Sequence, residues 1–167
     1  MSFASTKLDC KLHLCGDGPL MVASRQLVKD LNIEAQVVFH GWVGFEQKIS
    51  IFKSCRLFVL PSFNEGLPLT IIEALASSCV VLSTNVGAIP EVIRHGINGF
   101  IFEPGDFKQL SELLRNTYSD TSLLDQISSS GLNEYNKRFR SEVVIPQIKA
   151  VYMRLDKDFD QESKGNS

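Results

Sequence analysis

Residues 57–76 read LFVLPSFNEGLPLTIIEALA. Leu57 to Leu60 form an unbroken apolar run, the pattern of a strand buried on both faces. Pro61-Ser62-Phe63-Asn64-Glu65-Gly66 carries turn residues and reads as a loop. From Leu67 to about Ser77 the pattern turns helical: Pro68, Ile71, Ile72, Leu75 and Ala76 step at i, i+3, i+4, i+7 and i+8. Pro68 suits a first helical turn, where a missing N–H costs nothing. A buried strand that runs through a short loop into an amphipathic helix is the repeating unit of a parallel sheet.

The same alternation extends both ways. Upstream, residues 11–15 (KLHLC) and 36–40 (QVVFH) read as strands, with helical spacing at Leu20, Leu27, Val28 and Leu31 and again over 46–54. Downstream, 80–83 and 99–102 read as strands, and 91–94 as a short helix. Helices are expected from Phe107 with Asp106 as N-cap, over 123–139, and over 141–155, where Pro146 should disturb the first turns. The expected fold is α/β, a Rossmann-like parallel sheet with helices on both faces. Residues 1–156 form one domain, and 157–167 a polar, flexible tail. Such sheets bind ligands beyond the carboxyl ends of their strands, so the loops after the strands are where function belongs.

The loop at 61–68 has the chemistry for an anionic ligand. The free N–H groups of the following helix turn and the helix dipole make an anion site. Gly66 removes bulk where a phosphate would approach the backbone. Two carboxylates flank it. Glu65 sits just before the helix, and Glu73 lies roughly 8 Å along it at about 1.5 Å per residue. A diphosphate at the helix end would place a sugar near Glu65 and a ribose near Glu73, and carboxylates accept hydrogen bonds from paired hydroxyls. Taken alone, the spacing favours the plainer reading of a loop charge and a helix-surface charge near a favourable end.

The surrounding residues decide between these readings. Pro61-Ser62-Phe63-Asn64-Glu65-Gly66-Leu67-Pro68-Leu69 through Glu73-Ala74 resembles the E-x7-E signature of retaining GT-B glycosyltransferases of the family 4, or glycosyl transferases group 1, type. Gly16-Asp17-Gly18-Pro19 is similar to that family's G-D-G-P turn, and Val38 to Val43 to its V-x-F-x-G-x-V strand end. Val86-Gly87-Ala88-Ile89-Pro90-Glu91-Val92-Ile93, His95 to Phe100 and Pro104-Gly105-Asp106 follow in the family's order. The resemblance runs from about Leu12 to Leu114. Each piece is weak alone, and their order makes the match specific.

The resemblance implies the C-terminal, nucleotide-sugar-binding half of a GT-B enzyme, transferring sugar from a nucleotide-diphosphate donor with retention, in polysaccharide or glycoconjugate biosynthesis. It gives Glu65 the donor sugar as catalytic residue and Glu73 the nucleotide ribose. The backbone of Gly66, Leu67, Pro68 and Leu69 takes the distal phosphate. Gly16 lies near the nucleotide, Trp42 and Val43 border the base, and Ser62 contacts phosphate or sugar. The donor is UDP-, GDP- or ADP-linked, and no cofactor or metal is implied. Family members carry an Arg and a Lys on an earlier loop and an acceptor-binding N-terminal half, through which peripheral membrane association is conceivable. Here 15 residues precede Gly16, without a G-R-L…K pattern, and Lys7 and Lys11 are not in that context. The first central strand is therefore expected to be missing. That leaves a five-stranded sheet with a disturbed centre, or a new pairing between the strands at 11–15 and 57–60. The alternative function is a non-catalytic truncated domain with weak or no nucleotide binding. Epimerases and phosphorylases share the fold, and the E-x7-E spacing favours the transferase.

Other classes find less support. The chain has 167 residues, 44% of them hydrophobic, and a net charge of −2, enough for one core and too little positive charge for nucleic acid as a main partner. No apolar run reaches the roughly 20 residues of a membrane span, and Met1 to Thr6 lack a signal-peptide pattern, so the chain is read as cytoplasmic. Gly16-Asp17-Gly18-Pro19-Leu20-Met21 fails the dinucleotide fingerprint at Met21, and no P-loop motif occurs. Asp156-Lys157-Asp158 imitates a metal-binding D-x-D in a polar tail, where a solvated charge run is the better reading. Cys10, Cys15, Cys55 and Cys79 form no C-x-x-C pair and are expected free, the last three buried. His13, His40 and His95 read as scattered structural or surface residues.

Overall fold

The computed structural model describes residues 10–165, with side chains for residues 10–154. Strands and helices alternate as β1 (Leu12–Cys15), α1 (Met21–Asp30), β2 (Val37–Gly41), α2 (Phe45–Ser54), β3 (Leu57–Leu60), α3 (Leu69–Ala76), β4 (Val80–Thr84) and β5 (Phe100–Phe102). Three helices close the chain: α4 (Phe107–Ser119), α5 (Thr121–Arg138) and α6 (Ser141–Gly165). Every ladder is parallel. β1 pairs with β2, and β3, β4 and β5 form a second sheet in that order. Among the described residues no ladder joins the two. Instead of one five-stranded sheet with a disturbed centre, the described residues form two sheets, and the direct pairing of β1 with β3 is not formed among them.

β4 is the centre of the larger sheet and is buried throughout. Its side chains alternate between two cores, as a strand's period of two requires. Val81, together with Cys79 just before the strand, faces Ile71, Ala74 and Leu75 of α3 and Phe52 of α2. Val80 and Leu82 face Phe100 and Phe102 of β5 and Leu124 and Ile127 of α5. Helices thus cover both faces, and burying a large aliphatic side chain contributes about 1.5–3 kcal/mol. β3 departs from expectation: its four residues are half-buried, because among the described residues β3 has no partner strand on the side away from β4.

Capping explains several helix boundaries. Asp106 accepts from the Gln109 N–H at 2.9 Å, and Asp120 from that of Leu123 at 2.9 Å, satisfying orphan donors at the starts of α4 and α5. α3 begins at Leu69, two residues later than its apolar spacing suggests. A residue before proline is pushed out of the helical region, so Leu67 cannot start the helix, and Pro68 becomes the N-cap with an extended ψ of 129°. The helix expected over 91–94 is instead a 3₁₀ turn at Ile89–Glu91. The Asn98 side chain ends it by accepting the Arg94 N–H at 2.7 Å and donating to the Val92 carbonyl at 2.9 Å. α6 continues past Leu155 to Gly165, through most of the segment read as a tail, and it contains Pro146 without ending there. The proline removes one internal donor, which a long helix tolerates near its start. Among the described residues no helix is long and apolar enough to cross a membrane.

The histidines are less scattered than the sequence suggests. Parallel pairing of β1 with β2 stacks His13 on His40, with ring centroids 5.1 Å apart and Nδ1 to Nε2 at 2.8 Å. Burial, then the charges of His40 and Lys11, hold the His13 pKa below the ordinary value of 6.5. The unfolded chain therefore takes up this proton at a higher pH than the folded one, and stability falls as pH drops below the ordinary value. The melting temperature is expected to fall between about pH 7.5 and pH 5.5, with a shallower slope in His13→Phe. An equal slope in both proteins would count against the pair as the source.

Cys15, Cys55 and Cys79 are free thiols. Burial, then nearby Cys55, pushes the Cys79 thiol up to about 12, which makes it unreactive. Cys15, expected to be buried, is exposed at the end of β1.

Candidate functional site

The loop between β3 and α3 is held from below by the end of β4. The buried Ser83 hydroxyl donates to the Leu60 carbonyl at 3.1 Å, and that of Thr84 to the Ser62 carbonyl at 2.6 Å. The Ala88 N–H donates to the Gly66 carbonyl at 3.0 Å. Gly87 sits against this loop with φ +55°; a Cβ there would meet the Glu65 carbonyl oxygen and lie 2.6 Å from that of Gly66. Neither Thr84 nor Gly87 carries a signal of this role in the sequence. Gly87 lies in one of the recognised motifs, but only the tertiary contact assigns its job.

This pinning aims the start of α3 away from the sheet. Ile71 N–H donates to the Pro68 carbonyl at 3.1 Å, and no side chain caps the helix. Leu69 and Thr70 have N–H groups without intrahelical acceptors, the arrangement that binds anions. A Cβ at Gly66 would meet nothing within 4 Å, so the space beside the backbone there is open.

Both carboxylates flank this helix end. Glu65 accepts a hydrogen bond from the Ser62 hydroxyl at 3.0 Å, so Ser62 orients Glu65. Glu73 is paired with Lys48 of α2, whose Nζ lies 2.6 Å from Oε1. Its other oxygen, Oε2, is buried without a hydrogen-bond partner. Lys48 carried no signal in the sequence, because it lies 25 residues from Glu73 and meets it only where α2 and α3 share a core.

The remaining candidates belong to the β1–β2 unit. Gly16 has φ +125°, and its N–H donates to the Gly41 carbonyl at 2.7 Å, which joins the loop after β1 to the loop that carries Trp42 and Val43. An open pocket of about 370 Å³ lies beside it, lined by Gly16, Asp17, Pro19, Met21 and Phe39 among others. Trp42 is 78% exposed. The candidates thus form two groups, one on the loops after β1 and β2 and one after β3. Lys48, on the helix that follows Trp42 and Val43, connects them.

Leu20, Trp42, Phe45, Phe63, Leu69 and Phe107 are all large, exposed and placed after strand ends. Contiguous exposed apolar surface of this kind marks faces that meet something else. Among the described residues no group of three or more His, Cys, Asp or Glu side chains is placed to hold a metal. Lys7 lies outside the described residues, as do the side chains of Asp156 and Asp158.

The family model described as glycosyl transferases group 1 matches residues 2–134. The chain is 33% identical over 153 residues to N-acetyl-alpha-D-glucosaminyl L-malate synthase of Bacillus anthracis, covering 92% of this chain and 40% of that protein. It is 32% identical over 117 residues to the capsular polysaccharide biosynthesis glycosyltransferase CapM of Staphylococcus aureus, covering 70% of this chain and 30% of that protein. Among solved structures it resembles Anabaena Alr3699/HepE in complex with UDP, with TM-score 0.82 at 23% identity, over 90% of this chain and 43% of that one. It also resembles the C-terminal domain of a glycosyl transferase group 1 family protein (LpcC) from Francisella tularensis. There the TM-score is 0.67 at 29% identity, covering 74% of this chain and 66% of that one. The chain spans less than half the length of the curated relatives it matches.

Proposed function

The chain belongs to the glycosyl transferases group 1 family, and from that premise we propose that it is the donor-binding half of a retaining glycosyltransferase that takes a sugar from a nucleotide-diphosphate donor. One observation carries this reading: an uncapped helix start, pinned by β4, lies between two carboxylates one E-x7-E spacing apart. The helix end receives the distal phosphate through the backbone from Gly66 to Leu69. Glu65, oriented by Ser62, meets the donor sugar, and Glu73 the ribose. The loops bearing Gly16, Trp42 and Val43 take the nucleotide and its base. The acceptor is held by the other half of a complete enzyme, and polysaccharide or glycoconjugate synthesis fits the names of the relatives.

Calorimetric or saturation-transfer titration with UDP, GDP, ADP and their sugars tests this. Binding is expected for one base and should persist in EDTA, since the helix end supplies the positive pole that a metal would otherwise provide. Glu73→Ala should weaken it by about 1–3 kcal/mol, through loss of charge-assisted hydrogen bonds to the ribose. An unchanged dissociation constant would remove Glu73 from the site. The split between the β1–β2 and β3–β4–β5 ladders favours a second reading, a non-catalytic domain with weak nucleotide binding or none. Failure of every nucleotide to bind would select it.

A further inference from the structure

Glu73 stands on a helix anchored in the core: Ile71, Ala74 and Leu75 around it are fully buried. Among the described residues its carboxylate has one hydrogen-bond partner. Lys48 holds Oε1 at 2.6 Å, with the two side chains 30% and 33% exposed. Lys48 is itself placed by the first turn of α2, where its N–H donates to the Gly44 carbonyl at 2.9 Å. An ionised carboxylate has about four acceptor positions, and here Lys48 engages one oxygen while Oε2 has no partner. A buried oxygen in that state is costly, and it marks a group waiting for a donor. The chemical complement of that arrangement is a pair of adjacent hydroxyls, one donating to each oxygen.

We propose that Lys48 is the positioning residue that presents Glu73 to a vicinal diol, so that the pair sets a preference for ribose over 2′-deoxyribose in the bound nucleotide. The inference rests on the reading of Glu73 as the ribose acceptor. Lys48 touches Glu73 and acts through it, neutralising its charge when no ligand is bound and fixing its orientation when one is.

The test titrates UDP, GDP and ADP, each against its 2′-deoxy counterpart, into the 167-residue chain and into Lys48→Met, Lys48→Gln and Lys48→Arg, each checked for a native melting transition. The unaltered chain should prefer the ribo form by roughly tenfold, the equivalent of one charge-assisted hydrogen bond. In K48M and K48Q the preference should shrink to about twofold or less, mainly through weaker binding of the ribo form, and K48R should restore most of it. Equal losses for ribo and deoxy forms, with an unchanged ratio, would overturn the inference and leave the proposed function standing. Loss of the fold in both neutral variants would make Lys48 structural and overturn it too. Failure of the folded, unaltered chain to bind any of the three diphosphates would overturn both.

Discussion

Gly87→Ala is expected to destabilise the domain by about 2–4 kcal/mol and to abolish nucleotide binding. Two effects add. Alanine at φ +55° costs about 1 kcal/mol, since a Cβ crowds the neighbouring carbonyl in the left-handed region. The larger effect is contact: the new methyl group would stand against the Glu65 carbonyl oxygen and 2.6 Å from that of Gly66. Neither oxygen belongs to a side chain that can turn away. Relief requires moving the loop, which the Ala88 N–H and the Thr84 hydroxyl hold at 3.0 and 2.6 Å. Urea unfolding measures the first effect as a lower midpoint at constant slope. Calorimetry on the folded fraction measures the second. A G87A protein with an unchanged midpoint would mean that the loop yields freely, and that the close approach is not what shapes the site.

Gly87 also shows what could be read ahead of the structure. The parallel strands were legible because apolar runs such as 57–60 and 80–83 admit little else between turn residues, and β3 and β4 fall on them. The caps at Asp106 and Asp120 show how local most boundaries are, although only Asp106 stands out in the sequence. The loop of E-x7-E could be found for the same reason: strand end, proline and helix start are consecutive. Everything that joins distant segments was hidden. The Lys48–Glu73 pair spans 25 residues, and the His13–His40 stack spans 27. The hydroxyls of Ser83 and Thr84 look like ordinary strand residues until β4 is laid beside β3. Half-burial of β3 could not be seen from composition either, because Leu57 to Leu60 is apolar whether or not a strand pairs with its outer edge. Side-chain burial is decided by neighbours, and a single sequence names neighbours only where they are adjacent in the chain.

Sugar transfer by the 167-residue chain on its own is expected to be negligible, even where nucleotide binds. A retaining transfer needs a donor held still, an acceptor hydroxyl aligned on the anomeric carbon, and charge stabilisation on the departing diphosphate. In the proposed reading, Glu65, Glu73 and the start of α3 address the first. For the third, an exposed helix end contributes about 0.3–1 kcal/mol, rising to about 2 where water is excluded. Alignment of the acceptor matters more, at about 7–11 kcal/mol of the barrier, and this chain spans 40% and 30% of two of its relatives. A helix dipole cannot offset a deficit several times its size, and an open half-site admits water that weakens every electrostatic contact. The measurement is release of nucleoside diphosphate from the donor that binds best, with simple sugar acceptors, for the chain alone and with an acceptor-binding half supplied in trans or fused. The expected result is background release from the chain alone and, with a matching partner half, transfer that Glu65→Ala removes. Robust Glu65-dependent transfer by the purified chain alone would show that the donor half aligns an acceptor by itself, and would overturn this division of labour.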